Sequence, residues 1–120
     1  MKLAAALSGF VGVALGAFGT HALKGRVSPE MLEVFRTGIT YQMVHTVALL
    51  ALAADPPREG LRSRASLAGP LFLAGIVLFS GSLYALVLTG IRAFGAITPL
   101  GGLCFLAGWL TIAVEAARPR

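Results

Sequence analysis

Four long stretches with few charges alternate with short polar segments along the chain. They predict membrane spans at about residues 3–23, 37–54, 67–90 and 97–116, each between 18 and 24 residues long. An α-helix of about 20 residues crosses the hydrocarbon core of a bilayer. The pattern therefore predicts an all-α integral membrane protein. We expect one domain, residues 1–120, folded as an antiparallel bundle of four transmembrane helices.

The second predicted span is apolar overall, but its first half carries polar side chains. On a helix, Thr37, Tyr41 and His45 recur every four residues and share one face, and Gln42 and Thr46 lie beside it. Acyl chains cannot form hydrogen bonds with such a face. We therefore expect the other helices, or water, to cover it.

A short amphipathic segment precedes the second span. Gly25 is a plausible stop for the first helix, and Ser28 followed by Pro29 is typical of a helix start. Apolar and charged residues then alternate, which predicts a short interfacial helix over residues 29–36. Gly38 is the only weak point between this segment and the span, so the chain either bends there or continues as one helix.

Small residues recur at helical spacing in the first and fourth spans. Residues of this size allow two helix backbones to approach closely inside a membrane. We expect helix packing at Ser8, Gly12, Gly16, Gly101 and Gly108.

Composition supports the membrane prediction and weakens a nucleic-acid one. Only 12% of the residues are charged and 57% are hydrophobic, against about 25% and 45–50% in soluble domains. The net charge is +5, but the basic residues sit in short segments between the apolar stretches. No basic helix face with interleaved aromatic residues is present, so we expect no nucleic-acid partner. The lone Cys104 is read as packing material.

The distribution of basic residues predicts the orientation. With four spans, both termini lie on one side of the membrane. If that side is the cytoplasm, six basic residues are inside and four are outside, as the positive-inside rule favours. The inner set is Lys2, Arg58, Arg62, Arg64, Arg118 and Arg120, and the outer set is Lys24, Arg26, Arg36 and Arg92.

Sequence motifs for enzymes and metal sites are missing. The chain has no His-Glu-x-x-His, no Gly-rich phosphate loop and no Cys-x-x-Cys. His21 and His45 invite a haem or metal site, but at 1.5 Å per residue they lie about 9–10 Å apart in depth. Two axial ligands of one haem need nearly the same depth. We therefore expect no cofactor, no metal and no enzymatic activity.

The remaining candidates for function are polar residues inside the predicted spans. They either form a closed hydrogen-bonded core or line a small cavity, which would respond to pH because an unperturbed histidine titrates near pH 6.5. We expect the closed core. The candidate polar cluster consists of His21, Tyr41, Gln42, His45, Ser80, Ser82 and Tyr84.

Several sequence segments, in order, resemble a known family. They are GAFGTHALK at 16–24, YQMVHTVALL at 41–50, FSGSLY at 79–84 and ITPLGG at 97–102, with Trp109 downstream. In these segments the chain is similar to the YgdD-like small membrane proteins of bacteria, a domain-of-unknown-function family. The resemblance implies a four-span, multi-pass protein of the bacterial inner membrane. It carries no established activity to this chain.

The sequence leaves three classes of function open. The leading expectation is a non-enzymatic protein that packs against other membrane components or maintains the envelope. The alternative is a small transporter or channel that uses a polar pocket around Tyr41 and His45. An intramembrane enzyme or redox subunit comes last. The expected partners are membrane lipids, together with further copies of the chain or other membrane proteins.

Overall fold

Four long helices make up most of the protein. The computed structural model describes residues 1–54 and 64–118. The helices are α1 (Lys2–Leu23), α2 (Pro29–Ala54), α3 (Ala68–Thr89) and α4 (Thr98–Ala116). Short 3₁₀ turns, Arg64–Leu67 and Arg92–Ala96, precede α3 and α4. Within the described ranges no β-strand occurs, and each helix is long and apolar enough to cross a membrane, which confirms the predicted all-α membrane class.

The turn between α1 and α2 forms as its residues predict. Gly25 adopts a positive φ of 81°, which a residue without a side chain adopts at little cost. The amide of Val27 donates to the Leu23 carbonyl at 3.2 Å. The Ser28 hydroxyl then accepts a hydrogen bond from the Met31 amide at 3.1 Å, so Ser28 caps α2 and Pro29 is its first residue.

Residues 29–36 are the first turns of α2 and not a separate helix. The helix continues through Gly38 without a break, which is the second of the two alternatives left open by the sequence. Gly38 instead serves close packing, because a Cβ there would lie 2.8 Å from the Tyr84 ring. Its carbonyl accepts a hydrogen bond from Ser80 at 2.6 Å. The glycine is a contact point between α2 and α3.

Helices α1 and α2 are in contact, and their contacts run in opposite chain directions. Along α1 and α2, Gly19 lies against Phe35, while Ser8, earlier in α1, bonds to Thr46, later in α2. The complete antiparallel bundle stays a prediction. A polar loop expected at residues 55–64 also stays a prediction, because most of it lies outside the described residues.

Helices α3 and α4 interlock through glycines and aromatic rings. The ring of Phe72 on α3 packs over Gly108, where a Cβ would lie 2.5 Å from it. In the opposite direction, the ring of Phe105 on α4 packs over Gly75. The two rings belong to one buried cluster with Ala5, Leu49 and Ala68. The absence of side chains at these glycines therefore allows the rings to fill the space between the helices.

The backbones of α3 and α4 approach closely at Gly101. A Cβ on this residue would lie 2.7 Å from the Cα of Phe79 and would also clash with the Phe79 nitrogen. Phe79 belongs to a π turn, Ile76–Ser80, within α3, and α1 contains a similar turn at Leu15–Gly19. The sequence does not predict either turn.

Candidate functional site: a polar cluster between the helices

Gln42 joins three helices through the two ends of its side-chain amide. Its nitrogen donates to the Ser8 carbonyl on α1 at 2.8 Å. Its oxygen accepts from the Tyr84 hydroxyl on α3 at 2.7 Å. The side chain is 3% exposed, so both bonds form away from lipid and water. The only glutamine of the chain is therefore a central hydrogen-bonding residue of the helix interface.

Thr46 extends this network by one turn along α2. Its hydroxyl donates to the Gln42 carbonyl at 2.7 Å and lies 2.7 Å from the Ser8 hydroxyl. Because the single Thr46 proton is used on the carbonyl, the Ser8 hydroxyl donates to Thr46. Ser8 thus receives a hydrogen bond on its carbonyl and gives one from its side chain. Ser8, which the sequence predicts for helix packing, therefore also has a hydrogen-bonding role.

The two serines of α3 bind different neighbours. Ser80 is fully buried and donates to the Gly38 carbonyl on α2 at 2.6 Å. Ser82 donates to the Phe79 carbonyl at 2.9 Å and lies 2.6 Å from the Thr98 hydroxyl at the start of α4. The Ser82 proton is used on the carbonyl, so Thr98 donates to Ser82. One serine therefore connects α3 to α2 and the other connects α3 to α4.

His45 has both ring nitrogens occupied. Its Nδ1 lies 2.7 Å from the Tyr41 carbonyl, and its Nε2 lies 3.0 Å from the indole nitrogen of Trp109. A carbonyl only accepts and an indole N–H only donates. The proton must therefore be on Nδ1, and Nε2 must accept. The geometry selects the neutral imidazole in its Nδ1–H tautomer.

Aromatic rings surround this imidazole and leave it 4% exposed. The Phe105 ring stacks on it with the centroids 3.6 Å apart and the planes 9° from parallel. The Phe72 ring meets the imidazole edge-on, with the two planes at 65° and the centroids 5.1 Å apart. A metal ion would have to displace Trp109 to reach the Nε2 lone pair. Among the described residues no group of three or more His, Cys, Asp or Glu side chains could hold a metal.

Two members of the predicted cluster lie outside these networks. Tyr41 is 43% exposed, and its ring packs on Phe79 with the centroids 4.4 Å apart. Its hydroxyl donates to no group in residues 1–54 and 64–118. His21 is exposed near the end of α1. The seven predicted residues therefore separate into a Gln42–Tyr84 network, the individual bonds of Ser80, Ser82 and His45, and two exposed side chains.

A shallow depression of about 290 Å³ lies beside Tyr41. Thr40, Tyr41, Val44 and His45 line it, and all four belong to α2. The depression is open on its outer side. In the described part of the chain, no buried side-chain nitrogen or oxygen lacks a hydrogen-bond partner. The buried polar residues of the predicted cluster thus form closed hydrogen-bonded contacts, with this depression at their edge.

The sequence did not predict the hydrogen bonds that two residues make in these contacts. The sequence marks Trp109 only as a residue downstream of the ITPLGG segment, whereas the structure makes its indole N–H the donor for His45. A tryptophan in an apolar helix needs an acceptor for that N–H, and this requirement was the available signal. Thr98 appeared only within the ITPLGG segment, and the structure places its hydroxyl on Ser82.

Comparison with known proteins identifies the family. The family model described as "Protein of unknown function (DUF423)" matches residues 15–102. The chain belongs to this family. The membrane protein YwdK of Bacillus subtilis is 43% identical over 113 residues, covering 94% of this chain and 92% of the relative. The inner membrane protein YgdD of Escherichia coli K12 is 44% identical over 122 residues, covering 98% and 89%. No solved structure matches the chain.

These findings confirm the predicted family and location. The relatives are named membrane or inner membrane proteins, and the part of this chain that the structure describes contains four helices that can cross a bilayer. The protein is therefore a small multi-pass protein of the bacterial inner membrane.

Proposed function

We propose that this protein is a non-enzymatic membrane component that acts by packing its outer surface against lipids and other membrane proteins. One observation carries the proposal. Within residues 1–54 and 64–118, each buried side-chain polar atom already has a partner in the same chain. Intramembrane polar groups that bind a substrate or relay a proton must be available to it. The Gln42, Ser80 and His45 side chains are instead used to hold the helices together, His45 through its bond from Trp109.

The outer surface supports the same proposal. Large apolar side chains project from α1 and α4, including Phe10, which is 75% exposed, and Leu106, which is 67% exposed. Such residues face lipid or another apolar protein surface in a membrane. The polar contacts therefore lie inside the protein and the apolar contacts lie outside it.

A flux assay in liposomes tests this proposal. Purified protein is reconstituted into liposomes that carry a proton gradient, a potassium gradient or an entrapped small solute. We expect the gradients to decay as slowly as in protein-free liposomes. Saturable flux that depends on the protein would overturn the proposal. Photo-crosslinking from positions 10 and 106 supplies the positive measurement, because the proposal requires adducts with lipid or membrane protein at both positions.

The second candidate function is transport of a small molecule or ion past Tyr41 and His45. The depression of about 290 Å³ that these residues help to line favours it. The same liposomes distinguish the two functions, since transport through this site requires flux that falls in Tyr41→Phe and His45→Leu. Flux that is unchanged in both variants would exclude this site as its path, whereas the absence of flux supports the packing function.

We further propose that both termini lie in the cytoplasm. The positive-inside rule supports this orientation, because the inner set of basic residues is larger than the outer set. A reporter that is active only in the cytoplasm, fused after Arg120, tests it. We expect the reporter to be active when it is fused after Arg120 and inactive when it is inserted at Gly25. The reverse pattern would contradict the orientation.

A further inference from the structure

The exposed face of α2 changes from charged to hydroxylated to apolar along its length. Glu33 and Arg36 form an exposed ion pair at 2.6 Å near the start of the helix. One to two turns later, Tyr41 is 43% exposed, and Val44 and Val47 follow at 52% and 62%. At 1.5 Å per residue, Tyr41 lies about 7–8 Å below the level of Arg36. The order matches that of a phospholipid, whose charged headgroup is followed by ester carbonyls and then by acyl chains.

The Tyr41 hydroxyl supplies the specific observation. It has no hydrogen-bond acceptor among the described groups, and acyl chains cannot provide one. A tyrosine on a helix leans toward the N-terminal end. This lean directs the hydroxyl toward the depth between the ion pair and the apolar part of the helix, which is the depth of the ester carbonyls of a lipid whose headgroup lies at the ion pair. An ester carbonyl is the acceptor that the bilayer offers at that depth.

The ion pair favours one class of headgroup. Arg36 carries the guanidinium, which binds phosphate, and Glu33 carries a carboxylate, which accepts hydrogen bonds from an ammonium group. The two side chains are 50% and 69% exposed, so both are accessible to a headgroup. A headgroup with a phosphate and a primary ammonium complements both charges. A glycerol headgroup has no cation to neutralise the Glu33 carboxylate, and a choline headgroup has no N–H to donate.

We propose that this face is a binding site for phosphatidylethanolamine. The phosphate binds Arg36, the ammonium group binds Glu33, and an ester carbonyl accepts from the Tyr41 hydroxyl. One acyl chain fills the depression beside Val44 and continues toward Trp109. The site rests on the proposed function, since it names a membrane component against which the protein packs.

Trp109 provides a probe for this site without labelling. It is the only tryptophan of the chain, it is 45% exposed, and it bonds to His45, which lines the depression. Bromine atoms on an acyl chain in the depression would quench its fluorescence. The protein is reconstituted into mixtures in which only phosphatidylethanolamine, only phosphatidylglycerol or only phosphatidylcholine carries brominated chains. The quenching in each mixture gives the relative affinity for that lipid.

We expect phosphatidylethanolamine to bind several-fold more tightly than the other two lipids. Tyr41→Phe removes one hydrogen bond to an ester carbonyl, which all three lipids carry, and should weaken the binding of each lipid about two- to tenfold. Glu33→Gln should reduce the preference over phosphatidylglycerol. Val44→Phe fills the depression and should weaken quenching by each lipid. Tyr84→Phe is the matched control, because its hydroxyl lies inside the protein on Gln42, and it should leave lipid selectivity unchanged.

Equal quenching by the three lipids, or unchanged quenching in Tyr41→Phe, would overturn the proposal. Flux measured on the same liposomes separates this result from the proposed function. If the liposomes keep their gradients but the protein shows no lipid preference, only the proposed lipid site is contradicted. Flux together with an intact preference contradicts the packing function and leaves the site standing.

Discussion

The Trp109 indole donates a hydrogen bond to Nε2 of His45 at 3.0 Å and thereby fixes the histidine as a neutral Nδ1–H tautomer. This contact joins α4 to α2 inside the protein. It uses the one lone pair through which the imidazole could bind a metal or accept a proton. In this structure the histidine acts as a structural link between helices.

Replacing the indole tests this link. Trp109→Phe keeps an aromatic ring against Phe72 but leaves Nε2 of His45 without a donor. An unsatisfied buried acceptor costs about 1–3 kcal/mol, so the free energy of unfolding in detergent should fall by that amount. Leu106→Phe, on the exposed face of α4, is the control and should change stability little. Equal stability of Trp109→Phe and the native protein would contradict a structural role for the contact.

The two tyrosines should respond differently to loss of the hydroxyl. Tyr84→Phe leaves the Gln42 oxygen without its donor inside the protein, whereas Tyr41→Phe removes an exposed hydroxyl with no described partner. We expect a loss of about 1–3 kcal/mol for the first change and a loss within the measurement error for the second. Thermal unfolding of the two variants in the same detergent gives the comparison. A larger effect of Tyr41→Phe would show that the interior network is assigned to the wrong tyrosine.

Helix positions were predictable from the sequence because the bilayer imposes a strong pattern. Each span is a long, nearly uncharged stretch, and local signals such as Ser28 before Pro29 mark a helix start through backbone chemistry alone. The continuity of α2 at Gly38 was not predictable in the same way. It depends on the Tyr84 ring, which is distant in sequence and fills the space that the glycine leaves.

The polar cluster was predictable only as a set of residue types. The sequence indicates that Gln42 and His45 must be covered, because lipid cannot satisfy them. It does not indicate that Ser8 and Tyr84 cover one and Trp109 covers the other. These partners depend on the rotation of each helix about its axis. That rotation is set by packing at the glycines and by the π turns of α1 and α3.

The turn after α3 requires a glycine. Gly90 caps the helix with a φ of 71°, and its amide donates to the Leu86 carbonyl at 2.8 Å. A side chain in the left-handed region costs about 1–2 kcal/mol, so Gly90→Ala should lower the free energy of unfolding by that amount. Gly95→Ala is the matched control from the same connection, because its Cβ would meet its nearest neighbour only at 4.0 Å. If both variants lose equal stability, the positive φ is not the cause.

The close backbone contact between α3 and α4 at Gly101 gives a sharp test of the fold. At Gly101 an added Cβ would lie 2.7 Å from the Cα of Phe79, and a backbone atom cannot rotate away as a side chain can. Gly101→Ala must therefore push the helices apart, and we expect a loss of about 1–3 kcal/mol or more, as for an overpacked core. At the next residue, Gly102, the Cβ would lie 3.9 Å from the Phe79 ring, an ordinary contact. Gly102→Ala should be neutral or stabilising, because alanine favours a helix over glycine by about 1 kcal/mol. Unfolding of both variants in one detergent measures the difference. Equal stability of the two would contradict the contact of Gly101 with the Phe79 backbone, whereas the expected order supports the helix rotation that also places Ser82 against Thr98.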